Sequence, residues 1–174
     1  MHIEAWPGPG RGFDSGGFGT SDLDAVLIRR ARPGEGARLR DIAIAAKGYW
    51  GYDLDRVVEW ANGGDYSDEA LRTREVYVAE LEGGAVAWAA LICKTKDDSW
   101  LDDLWVEPDA IGRGVGTALF RYVAERAKEL GATRLVWEAE PNAVGFYEKL
   151  GARPTGYENM SSWGRRIPVL ELDL

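Results

Sequence analysis

What this chain has little of narrows it first. In 174 residues there is one histidine and one cysteine. A Ser/His/Asp triad or a Cys/His pair needs a positioned imidazole, and His2 stands in a glycine-rich opening segment, a poor place to hold one. Zinc sites built from Cys and His clusters fail on ligand count, so no metal is expected. A lone cysteine cannot make an intramolecular disulfide, which points to a cytoplasmic compartment. Cys93 itself lies in the apolar run AWAALIC and reads as a small buried side chain. No apolar run approaches the ~20 residues that span a bilayer, and the opening residues lack the apolar core of a signal peptide. No membrane partner is therefore expected. Cations are scarce too: 21 Lys and Arg stand against 29 Asp and Glu, a net charge of -8. That argues against nucleic acid as a partner, because general phosphate attraction needs clustered positive charge.

What is present fits one domain, since 45% of the residues are hydrophobic and the length is that of an ordinary core. The opening, MHIEAWPGPGRGFDSGGFGTSD, has no hydrophobic period and reads as a flexible tail over residues 1–24. Order is expected from residue 25 to 174. A first strand is predicted at about 25–31 from AVLIRRA. Leu39, Ile42, Ala43 and Ala46 then share one helical face. Asp53 is placed to cap a second short helix with Leu54, Val57, Val58 and Ala61 inward, ended by Gly63 and Gly64. The next stretch reads as a three-stranded antiparallel meander with turns at Gly83-Gly84 and near 96–98. A long helix follows with Leu119, Phe120, Val123, Ala127 and Leu130 as its buried stripe. A strand in TRLVWEAE, a helix in AVGFYEKLG and two closing strands turning at Trp163-Gly164 complete the chain. The predicted order is β-α-α-β-β-β-α-β-α-β-β.

The segment IGRGVGTALF, residues 111–120, alternates Gly112, Gly114 and Gly116 with Ile111, Arg113 and Val115 and turns helical at once. A helix opening carries unpartnered N–H groups and about half a unit of positive charge, so bare main chain there can seat a phosphate or pyrophosphate. A tight strand-to-helix turn accounts for the glycines equally well. Two nucleotide readings fail. A P-loop needs Lys and then Ser or Thr after its last glycine, whereas Gly116 is followed by Thr117 and Ala118. A dinucleotide fold places its glycines in the first unit of a parallel sheet, and these lie mid-chain after an antiparallel meander.

LDDLWVEPDAIGRGVGTALF, followed downstream by EPNAVGFYEKLGA, resembles the GNAT superfamily of acetyl-CoA-dependent N-acyltransferases over roughly residues 25–174. The resemblance implies an α+β fold: a mostly antiparallel mixed sheet splayed in the middle, with helices on both faces. It implies acetyl-CoA as co-substrate, an amine of a small molecule or peptide as acceptor, direct attack in a ternary complex, and a homodimer as the common oligomer. The family's loop reads Gln or Arg, two residues, Gly, one residue, then Gly or Ala, and binds the coenzyme A pyrophosphate. Gly114 and Gly116 match the small positions. Ile111 stands at the Gln or Arg position, a departure that predicts weaker coenzyme A binding. The main-chain N–H groups from Gly112 through Val115 to Thr117 are retained, and Arg113 offers charge two places on.

The same resemblance assigns the chemistry. An alkylammonium near pKa 10.4 is deprotonated in only about one molecule in two thousand at pH 7, so something must accept its proton. The family's acceptor is a carboxylate on the strand before the loop, and Asp102 falls on its position. In a regular strand Asp102 and Asp103 point to opposite faces, so only one can serve; they also fit a pair that anchors a cationic substrate. Main-chain N–H groups of Leu104, Trp105 and Val106 are the candidates for the thioester carbonyl. Tyr147 matches the general acid that protonates the departing sulfur. Asn142 and Phe146 are further coenzyme A contacts, Asn142 with a second role as a helix cap. Tyr49, Trp50 and Tyr52, with Asp103, suit a cationic or aromatic amine. A non-catalytic acyl-CoA sensor on the same fold is the alternative, for which Ile111 argues and against which Tyr147 and Asp102 argue.

Overall fold

A computed structural model of the chain describes residues 26–174 apart from Lys96 and Ser162, with the side chains of 158–160 also left aside. The expected flexible tail at 1–24, His2 included, lies outside the described residues. The elements run β1 (Leu27–Arg30), α1 (Gly36–Tyr49), α2 (Leu54–Asn62), α3 (Asp68–Thr73), β2 (Glu75–Leu81), β3 (Gly84–Cys93) and β4 (Asp98–Val106). They continue with α4 (Val115–Glu129), β5 (Arg134–Glu138), α5 (Val144–Glu148), β6 (Arg153–Met160) and β7 (Arg166–Asp173). Short 3-10 turns at Pro108–Ala110 and Pro141–Ala143 precede α4 and α5.

The local signals explain most boundaries. The Asp53 carboxylate accepts from the Arg56 amide at 3.0 Å and so opens α2. α3 is an addition to the predicted order. Its signature is Ser67, whose hydroxyl accepts from Ala70 N at 3.2 Å, followed by Asp68 and Glu69 against the helix's positive end. Three expected burials are corrected. Leu54 and Leu130 are 60% and 40% exposed; both stand at helix termini, where a stripe of correct period outlasts the layer it packs on. Cys93 is exposed, because β3 ends there and the apolar run before it lies deeper in the sheet.

The seven strands form one sheet in the order β1-β2-β3-β4-β5-β7-β6. Every neighbouring pair is antiparallel except β4 and β5. Each face buries its own cluster. α4 and α5 cover one face, with Leu119, Phe120 and Val123 against Leu101, Leu135 and Trp137. On the other, Leu39 and Ile42 of α1 and Leu71 of α3 pack on Val76, Val78 and Trp88. Each such side chain contributes about 1.5–3 kcal/mol on leaving water, which is why both helical layers hold to a sheet that is not continuous.

Two irregularities in β4 position the site. Pairing with β5 runs only from Asp98 to Trp100, opposite Arg134 to Val136; beyond that point β5 follows β7, and the two strands part. β4 is also bulged: Ala90 faces Asp103 and Leu91 faces Leu101, which leaves Asp102 as the extra residue.

Candidate active site

The gap between β4 and β5 is a cleft of about 440 Å³, within the range of small-molecule and cofactor sites. Leu101, Leu104, Trp105 and Val106 of β4 form one wall, Trp137 and Glu138 of β5 the other. Ile111, Gly112, Gly114, Gly116 and Thr117 close one end, and Asn142, Phe146 and Tyr147 the side nearest α5. Ala46 and Trp50 reach in from α1.

The main chain of β4 supplies donors here. Glu107 N donates to Val86 O at 2.9 Å, and the register pairs Trp105 with Trp88 and Leu104 with Ala89. In an antiparallel ladder, hydrogen-bonded and open pairs alternate. Trp105 therefore spends its amide on β3, while the N–H groups of Leu104 and Val106 point to the side β5 has left. Of the three expected carbonyl partners, two are free to serve. At the glycine end, Gly112 and Gly114 have φ of 82° and 83°, the left-handed region that a side chain resists. The first backbone bond of α4 runs from Ala118 N to Gly114 O at 3.0 Å, so the amides of Val115, Gly116 and Thr117 open outward.

The sequence-predicted residues divide. Tyr147 is buried against Phe120, Trp137 and Phe146, with ring centroids 5.3, 5.0 and 4.9 Å away. Burial pushes its phenol well above the usual range, so it is protonated at every working pH. Ile111 is 45% exposed at the mouth. The Val115 side chain is buried in the core, and Arg113 pairs with Glu82 outside the cleft lining. Asn142 does not cap a helix. Its side chain donates to Glu140 at 2.8 Å, and Glu140 is the residue whose carboxylate accepts from the Asn142 amide. Tyr49 is 55% exposed and stacks edge-on with Trp50 outside the cleft. Tyr52 reaches the rim by donating to Glu140 at 2.7 Å; burial and that carboxylate raise its phenol to about 12.

Asp102 and Asp103 are both elsewhere. They line a second hollow of about 380 Å³ with Trp60, Asp65, Tyr66, Arg74 and Trp88. The bulge breaks the alternation expected of a regular strand, so the two carboxylates share one hollow. Burial raises the Asp103 carboxyl to about 6, although Trp105 Nε1 donates to it at 2.7 Å. Two acidic residues that line the cleft, Glu138 and Glu140, escaped the sequence reading. Glu138 ends β5 and Glu140 precedes Pro141-Asn142, and nothing in spacing alone says that a strand parting from its neighbour brings them there.

A splayed sheet, free strand amides and an anion-seating helix entrance facing one cleft define a class: acyltransferases that take their acyl group from a coenzyme A thioester. The Acetyltransferase (GNAT) family model matches residues 39–152, and the chain belongs to that family. It is an acetyl-CoA-dependent N-acetyltransferase. Over 154 residues it is 39% identical to the peptidyl-lysine N-acetyltransferase YjaB of Escherichia coli K12, covering 84% of this chain and 95% of the relative. A GCN5-related N-acetyltransferase structure from Rhodopseudomonas palustris superimposes with TM-score 0.71 at 27% identity, covering 85% of this chain and 95% of that one. YncA of Salmonella typhimurium, solved with acetyl-CoA, does so with TM-score 0.63 at 19% identity over 85% and 93% of the two chains.

Proposed function

We propose that the protein transfers the acetyl group directly to the side-chain amine of a peptide lysine, within a ternary complex. One observation carries the direct route: the cleft brings two free strand amides and Tyr147 together without a competent protein nucleophile. Among the described residues its lining holds no cysteine, serine or histidine. Thr117 is its one aliphatic alcohol, and among the described residues no hydrogen bond joins it to a base that would activate it.

The thioester carbonyl oxygen accepts from the Leu104 and Val106 amides, which act where negative charge grows in the transition state. The amine nitrogen forms the C–N bond and the C–S bond breaks. Tyr147 donates its proton to the departing sulfur, and its burial makes that transfer more uphill than for an ordinary phenol. The proton shed by the ammonium passes to Glu138 or Glu140, through water where the distance requires it. Those carboxylates and Trp50 make the acceptor end suitable for an alkylammonium. The peptidyl-lysine named for the E. coli relative supports that acceptor class over a small diamine.

Initial velocities with acetyl-CoA and a lysine peptide test the route: intersecting lines are expected, and parallel lines would mean an acyl-enzyme. Glu138→Gln and Glu140→Gln are expected to move the acid limb of the kcat/KM profile, Asp102→Asn to leave it unchanged. Turnover of polyamines but of no lysine peptide would overturn the acceptor.

A further inference from the structure

Lys47 lies in the last turn of α1, next to Ala46 and three residues before Trp50, both of which line the cleft. Its ammonium does not reach for water as surface lysines do. It sits 4.6 Å from the ring centroid of Trp163, 4.7 Å from those of Tyr52 and Trp60, and 5.6 Å from that of Trp105. These rings come from four separate parts of the chain and support one another. Tyr52 packs edge-on against Trp163 at 4.9 Å and Trp60 against Trp105 at 5.3 Å. Among the described residues Nζ has neither a hydrogen bond nor an ion pair; its remaining influences are the charges of Glu140 and Arg165.

The cage and the cleft share Trp105 and Glu140. Four rings around one ammonium beside an acetyl-transfer cleft make a seat for an alkylammonium, in which, among the described residues, no carboxylate pairs with Nζ and Glu140 acts only by its charge. We propose that Lys47 is an acceptor of the protein's own cleft, converted in cis to Nε-acetyl-lysine. This rests on the acetyl-transfer reading above.

The neutral Nζ attacks the thioester carbonyl, a C–N bond forms, and the C–S bond breaks with its electron pair on sulfur. Coenzyme A leaves as the thiol, and the ammonium's own proton goes to solvent through the Glu140 side. Burial, the largest influence on Lys47, holds its ammonium below the usual range, which enlarges the fraction able to attack. The product is a neutral amide in a cage built for a cation, so modification frees the seat of its charge.

The test is full-length protein incubated with acetyl-CoA and no added acceptor, followed by intact mass and peptide mapping. The expected result is one acetyl group per chain at Lys47, with Lys94 and Lys149 as internal controls. The first-order rate is expected to be unchanged on protein dilution and blocked by excess coenzyme A. In Lys47→Arg, with folding checked by circular dichroism, the gain at that site is absent. An unmodified Lys47 while a lysine peptide is acetylated would overturn this inference and leave the acetyl-transfer reading standing. A rate that scales with protein concentration, or persists under excess coenzyme A, would overturn it as well. Failure of every amine, Lys47 included, would remove both.

Discussion

The two hollows beside β4 share a strand and differ in how they were made. The cleft toward β5 exists because a neighbour is missing, so its working groups are main-chain donors, lined by Leu104, Val106, Trp137 and Phe146. The hollow behind exists because of a bulge, and its working groups are side-chain charges: Asp102, Asp103 and Asp65 with Arg74. Under the proposed mechanism the first favours negative charge developing on a bound carbonyl. The second holds a buried acid, since Asp103 is raised to about 6 by burial with Asp102 adding to the rise. Loss of pairing opens a cleft lined by free amides; gain of a residue produces a polar recess, and a carboxylate near the loop in sequence is not thereby near it in space.

The strongest way to break this contrast is Tyr147→Phe. Loss of a general acid is expected to lower kcat by about 10²-fold or more, with acetyl-CoA binding retained by calorimetry; wild-type turnover would move sulfur protonation to water. Next comes Gly114→Ala, which forces a side chain to φ 83° and is expected to cost about 1–2 kcal/mol, read as a lower Tm and weaker acetyl-CoA binding. On the other side of β4, Asp103→Asn is expected to leave kcat unchanged and alter stability instead. A carboxyl raised from 3.8 to about 6 binds its proton more tightly in the folded than in the unfolded state, so wild-type stability falls as pH rises through that window. The variant should lose this slope and be more stable by on the order of 1 kcal/mol at pH 7.5 but not at pH 4, in paired urea titrations. Ile111→Arg sharpens the cleft's mouth: a several-fold lower KM for acetyl-CoA at constant kcat follows from one added phosphate contact. The smallest effect is expected at Arg113→Ala, under about twofold in that KM, because its charge is directed to Glu82 on an exposed surface.

Much of the molecule was legible along the chain. Period identified the strands and the long helix, Asp53 announced α2, and the glycine loop and the later NAVGFYEKLG helix proved to be two segments that the fold brings to one cleft. α3 escaped although Ser67, Asp68 and Glu69 signal it, because six residues are too few for a helical period to emerge. Neither the shared hollow of Asp102 and Asp103 nor the place of Glu140 could be read along the chain. Strand alternation is the rule that places Asp102 and Asp103 on opposite faces, and a single bulged residue suspends it. Glu140 looks like loop polarity until three donors, from Tyr52, Asn142 and Arg165, converge on it.

By itself the sequence determined the local grammar: which segments become helix or strand, where positive φ is needed, and which motifs belong to an acetyl-CoA enzyme. Those depend on neighbours a few residues apart, and a chain carries that information in order. Only the tertiary structure decided where β4 leaves β5, which amides that exposes, and which acidic residues line the cleft between them. It also decided that Lys47, unremarked in the sequence, rests among rings drawn from positions 52 to 163. Contacts of that separation are set by packing of two helical layers on a divided sheet, a property of the whole fold that no window of residues contains.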